Sequence, residues 1–196
     1  MEQDRNFEWA RRRIFRGAQQ FATLVSGAAG PISSEAGATI LVEIGSSGLG
    51  GYKCQATADL VQDMFPIPSD LDTEKKTYWR VYWTTDTTKI TKKFTPTMKY
   101  TVISNASDIA AAGTAFTSNP AADTSQGANK LHVTGWGYLT SHILTGGKMA
   151  NIGIQAKGTC VTKDVWIIGY EVEYTPHACA SEVGRMAMEY DRHLDY

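Results

Sequence analysis

Two aromatic, alternating segments limit what this chain can fold into. In residues 78–84, Trp79, Val81 and Trp83 fall on one side of an extended backbone, and Tyr78, Arg80 and Tyr82 on the other. In residues 165–176, Ile168, Tyr170, Val172 and Tyr174 share one side. A period of two with large apolar side chains predicts strands that bury one face, and one of the two faces of 78–84 must be core. The first of these strands is entered from a loop over 65–77 that carries Pro66, Pro68 and the acids Asp70, Asp72 and Glu74.

Further strand candidates fill the body. Residues 38–44 form a β-branched run that meets the glycine cluster Gly45, Gly48, Gly50 and Gly51, and alternation follows over 52–61, so the two read as a hairpin. Alternation returns over 94–104, 130–138, 149–157 and 165–174, whereas 105–129 has too little apolar bulk for a strand and leaves room for one helical turn at 108–112. Strands without intervening helices select a sandwich over a βαβ sheet, and Greek-key or jelly-roll topology is the economical choice.

The ends change period. Over 2–25, Phe7, Ala10, Ile14, Gly17, Phe21 and Leu24 recur every three or four residues, which predicts a helix; early acids and the later Arg11, Arg12, Arg13 and Arg16 suit its dipole. Such a helix could be a lid on its own sandwich or an arm that clamps other subunits. In the second case Phe7, Ile14, Phe21 and Leu24, with Arg12, Arg13 and Arg16, form its interface. Beyond Pro176, the spacing of Val183, Met186, Ala187, Tyr190 and Leu194 predicts a second amphipathic helix, capped by Ser181, with Met186 and Tyr190 as contact residues. The expected organisation is a helical arm (1–26), a Gly/Ala/Ser/Pro linker (27–37), an all-β, jelly-roll-like antiparallel sandwich (38–176) and a short helical tail (177–196).

Bulk charge narrows the function. The 196 residues carry 19 basic and 20 acidic side chains, so no overall field draws in nucleic acid or an acidic membrane. The first residues lack the apolar core of a secretory signal, and no apolar run is long enough to span a bilayer. Cys54, Cys160 and Cys179 are odd in number and far apart, which suits reduced thiols.

Reactive chemistry is poorly represented. GSSGLGGYK lacks the Ser or Thr after its lysine that a phosphate loop needs, and a strand pattern follows it where a helix should begin. His132, His142, His177 and His193 have no metal-ligand spacing, and Asp70, Asp72 and Glu74 read as loop caps. The expectation is a protein without catalytic residues, cofactor or metal. The aromatics Tyr78, Trp79, Tyr82, Trp83, Trp136, Tyr138, Trp166, Tyr170 and Tyr174 leave one binding alternative: those that line an exposed face would stack on sugar rings.

The segments 80–86 (RVYWTTD), 110–115, 129–134 (NKLHVT) and 169–176 (GYEVEYTP) resemble virion structural proteins of tailed bacteriophages, over a span from Pro66 to Pro176. The resemblance implies a jelly-roll module found on capsids or in fibres, assembled in the host cytoplasm. Its expected role is that of a capsid decoration or cement protein, a homo-oligomer read as a trimer, bound to other virion proteins such as the major capsid protein. The alternative is a tail or head fibre adsorption module that binds host-surface glycan.

Overall fold

The computed structural model of the protein describes residues 11–21, 40–44, 46–54, 60–86, 88, 93–103, 113–157 and 165–177. Two antiparallel neighbours form its centre, β5 (Thr77–Thr85) and β12 (Val165–Tyr174), in register from Thr85↔Val165 to Tyr78↔Glu173. Trp79, Val81 and Trp83 point inward and are fully buried, as their alternation requires.

The far edge of β12 takes two partners. Along 165–167 it pairs with β3 (Gly50–Cys54), which pairs in turn with β2 (Ile40–Glu43); along 169–174 it pairs with β1 (Arg12–Gly17). The other edge of β5 pairs with β9 (His132–Val133) and β10 (Gly137–Leu139). Opposite this first sheet lies a second, in the order β4 (Leu60–Pro66), β11 (Met149–Lys157), β6 (Lys93–Ile103) and β7 (Thr114–Ala115), with β8 (Asp123–Thr124) on the start of β6. The fold is an antiparallel β-sandwich.

Aromatic rings fill the space between the sheets. Trp79 stacks on Tyr170 at 5.6 Å and meets the edges of Phe65 at 5.4 Å and Phe116 at 5.2 Å. Val61, Phe94, Met98, Ile152 and Ile154 complete the core from the second sheet. Each such side chain, once buried, stabilises the fold by about 1.5–3 kcal/mol.

A bulge changes the facing of β12. Its register against β5 shifts between Ile167 and Gly169, so Tyr170, Val172 and Tyr174 point inward on one side of the shift and Val165 and Ile167 on the other. Trp166 consequently faces outward, beneath the Lys53 ammonium at 5.7 Å.

The predicted N-terminal helix is corrected over the described residues 11–21: Arg12–Gly17 is a strand, and Ala18–Gln20 is a single 3-10 turn. Ile14 and Arg16 face inward, Arg13 and Phe15 outward. The inward side reads as charged because Arg16 crosses to the second sheet, donating from Nε and Nη2 to the buried Asp63 at 2.7 and 2.8 Å, while the Tyr170 hydroxyl donates to the same carboxylate at 2.7 Å. That inward arginine conceals the period of two, and the apolar spacing that remains imitates a helix. The expected strand 52–61 is also divided, its ends falling in β3 and β4 of opposite sheets. Residues 105–129 contribute the short β7 and β8 and the buried Phe116, where no strand was expected. The helical turn at 108–112, the linker and the C-terminal helix lie outside the described residues, as do Phe7, Leu24, Met186, Tyr190, Cys160 and Cys179. Cys54 is a buried thiol.

Candidate functional site: the outer face of the first sheet

Once Trp79, Val81 and Trp83 are core, alternation places Tyr78, Arg80 and Tyr82 on the outer face of the first sheet. Register then supplies their neighbours. Glu173 lies beside Tyr78, Glu171 beside Arg80, and Gly169 beside Tyr82. On the next strand Arg13 lies beside Glu173 and Phe15 beside Glu171. On the opposite flank Tyr138 lies beside Tyr78, and their rings are 6.5 Å apart.

Two glycines shape this surface. A Cβ at Gly169 would come within 2.6 Å of the Phe15 ring and 2.5 Å of the Arg16 carbonyl oxygen, so only glycine lets Phe15 lie flat across β12 and meet Tyr82 edge-on at 5.2 Å. A Cβ at Gly137 would come within 2.4 Å of the 118–120 backbone, which fixes the chain between Trp136 and Tyr138 against that loop.

Salt bridges bind the face laterally. Arg80 donates from Nε to Glu171 at 2.6 Å, and its Nη2 is 2.5 Å from the same carboxylate, which also accepts from the Tyr82 hydroxyl at 2.6 Å. Arg13 donates to Glu173 at 2.8 Å and lies 3.7 Å from Glu171; Arg11 also donates to Glu173 at 2.8 Å. Burial pushes the Tyr82 phenol above its ordinary pKa, with the Glu171 carboxylate adding to the shift and Arg80 opposing it.

Cations and rings alternate across the surface. Arg80 lies 4.5 Å and Arg13 5.9 Å from the Trp136 ring centre, Arg11 lies 5.2 Å from Tyr78, and Lys76 lies 4.5 Å from Tyr138. Phe15 and Trp136 are among the exposed large hydrophobics. Rings that carry apolar faces and hydroxyl or indole edges, set among fixed N–H donors, can receive a flat polyhydroxylated ligand or a protein surface.

Sequence reasoning separated Tyr78 and Tyr82 from Trp79 and Trp83, and it nominated Trp136 and Tyr138. It missed Arg11, Phe15, Glu171 and Glu173, because β1 was read as a helix; the register of β1 on β12 is what joins them. Of the residues nominated on the N-terminal arm, Arg13 belongs to this face. Arg12 pairs with Asp70 at the rim at 2.5 Å, Arg16 with Asp63, Phe21 is buried against Tyr170 at 5.8 Å, and Ile14 packs on the core.

The other candidates are occupied structurally. In the β2–β3 turn, Gly48 has φ 71° and its N–H donates to the Glu43 carboxylate at 2.7 Å, so an anion already sits where a phosphate would be cradled. Asp70 is shared by Arg12 and Tyr174, and Asp72 accepts from the Glu74 N–H. His132 is buried against Trp83, 3.9 Å from Asp123. Among the described residues no cluster of His, Cys, Asp or Glu could hold a metal, and no helix is long and apolar enough to cross a membrane.

No family model matches the chain, and no curated protein matches it. Among solved structures it is similar to a xylan-binding module, CBM15, with a TM-score of 0.51 and 13% identity, covering 86% of this chain and 99% of that one. At that identity the likeness is one of fold.

Proposed function

We propose that the chain is a non-enzymatic carbohydrate-binding module, an adsorption module of a phage particle, whose outer first-sheet face holds a glycan chain. The observation that carries this reading is the outward-facing set of Phe15, Tyr82, Tyr78, Tyr138 and Trp136 around oriented arginines, with Phe15 and Trp136 exposed and the three tyrosines half-buried, on a sheet whose opposite side is committed to core. A fold shared with a xylan-binding module supports it. The test is affinity electrophoresis of the intact chain through gels containing plant, bacterial-surface and host-type polysaccharides, beside Trp136→Ala and Tyr78→Ala. At least one polysaccharide should retard the parent chain, and both variants should lose most of that retardation while melting as the parent does. A parent chain that ignores every glycan, or variants that bind as well as it does, would count against this function.

A second reading, a decoration or cement protein that works through oligomeric protein contacts, is favoured by connectivity. The sheet order β3-β12-β5-β10 facing β4-β11-β6-β7 is the strand order of a jelly roll. Three of the four segments that resemble virion proteins fall in β5, β9 and β12, side by side in one sheet, while the described end of the fourth contributes β7 to the other sheet. Tyr, Trp and Arg also dominate the energetics of protein interfaces. Because β1 contributes to the face, deleting residues 1–26 would damage either function; point substitutions separate them. Trp136→Ala should remove most of the glycan retention under the first reading, whereas under the second the parent chain binds purified shells and no glycan.

A further inference from the structure

The salt bridges on the outer face are layered. The Glu171 and Glu173 side chains are each only 9% exposed, whereas Arg80 is 25%, Arg11 39% and Arg13 59% exposed. The carboxylates form the floor and the guanidiniums the surface, so a ligand meets the positive ends first. Among the described residues, Arg11, Arg13, Arg80 and Lys76 stand over the face against Glu171 and Glu173, four cations to two carboxylates in a chain whose net charge is −1. Glu171 and Glu173 thereby act as positioning residues, holding the guanidiniums before a ligand arrives and lowering the cost of ordering them.

From this layering we infer that the ligand is an acidic polysaccharide: the carboxylate of a uronic acid residue accepts hydrogen bonds from Arg13 and Arg80, while the sugar rings pack against Trp136 and Tyr138. The inference rests on the carbohydrate reading and adds the charge of the ligand. Arg13 and Arg80 flank one indole at 5.9 and 4.5 Å, so both lie within reach of a single sugar ring. Arg80 already directs Nε and Nη2 at Glu171, and Arg13 directs Nε at Glu173, so outward donation falls chiefly to the terminal nitrogens of Arg13. Charge-assisted, bidentate geometry suits a planar carboxylate. A nucleic acid strand would need a basic stripe that tracks successive phosphates; here the cations form one cluster.

The test is titration calorimetry of the intact chain with oligosaccharides of polygalacturonate, alginate and glucuronoxylan, each beside a counterpart whose carboxyl groups have been reduced to alcohols. At least one acidic form should bind about ten-fold tighter than its reduced form, and the difference should shrink as salt rises from about 0.05 to about 0.5 M. Arg13→Gln should shrink that difference, weakening the acidic form more than the reduced one, and Arg13→Lys should restore part of it. Equal binding of acidic and reduced forms overturns the inference and leaves the carbohydrate reading standing. Tighter binding of dextran sulfate or of single-stranded DNA than of every uronate also overturns it. Failure of acidic and neutral sugars alike removes the carbohydrate reading itself.

Discussion

The two outer surfaces of this sandwich are made of different chemistry. On the first sheet, outward positions carry Tyr78, Arg80, Tyr82, Phe15, Arg13 and Tyr138, tied together by ion pairs and ring contacts. On the second sheet, the positions that alternate with the buried Val61, Phe65, Met98, Ile152 and Ile154 are Gln62, Met64, Thr97, Lys99, Asn151 and Gln155. A sheet needs only one apolar face to fold, and the second sheet stops there. The first presents rings and oriented charges on a side that contributes nothing to the core, and that asymmetry is what points to binding.

The comparison can be strained where the two sheets are joined. Asp63 is the inward carboxylate of the second sheet that holds Arg16, and through it the strand bearing Arg13 and Phe15. Asp63→Ala leaves a guanidinium without its carboxylate and should cost about 3–5 kcal/mol, read by urea unfolding, with glycan binding lost as β1 loosens. A cost under about 1 kcal/mol would show that β1 is held by something else.

Next in size is Gly169→Ala. The added methyl has no space beneath Phe15, so a loss of about 1–3 kcal/mol is expected. Phe15→Ala in the same chain should recover part of it by clearing the ring, though not the contact with the Arg16 carbonyl oxygen.

Alkaline titration examines the same junction. Burial, and then the Asp63 carboxylate, hold the Tyr170 phenol well above its ordinary value of 10.0, with Arg16 opposing. A raised folded pKa means that this contribution is fully present below about pH 10 and is lost as pH climbs through the folded value. Thermal melts should therefore fall above about pH 10, and Tyr170→Phe should flatten that fall; an unchanged slope would remove Tyr170 as its cause.

Substitutions on the two outer surfaces sharpen the contrast directly. Trp136→Ala should weaken glycan binding about ten-fold, whereas Asn151→Ala and Lys99→Ala on the second sheet should leave it unchanged. The smallest effect belongs to Arg12→Ala, which removes a rim pair whose partners are 62% and 32% exposed; about 0–1 kcal/mol of stability and no change in binding are expected.

Legibility in the sequence followed the same division. Where one side of a strand is apolar, as in β5, alternation revealed both the core set Trp79, Val81 and Trp83 and the outward set Tyr78, Arg80 and Tyr82. The extents of β11 and β12 were legible for the same reason. The shared side of Tyr170, Val172 and Tyr174 in β12 was legible too, but not the facing of its first residues, because a one-residue bulge reverses parity without any compositional mark, moving Ile167 inward where Ile168 was expected. β1 was hidden more thoroughly. Its inward Arg16 depends on Asp63, 47 positions away, and no local window contains that partner. The part of the outer face that β1 supplies, with Arg13 and Phe15, was therefore invisible until β1 had been placed against β12.

The central claim is that the outer face of the first sheet is where carbohydrate binds. Its most direct test is chemical-shift mapping of the isotope-labelled chain as a retained oligosaccharide is added. The account predicts that shifts concentrate on β1, β5 and β12 and on the Trp136 indole N–H, with the second sheet silent. Shifts that fall on Met64, Lys99 and Asn151, or on the β2–β3 hairpin, while the Trp136 indole stays fixed, would contradict it.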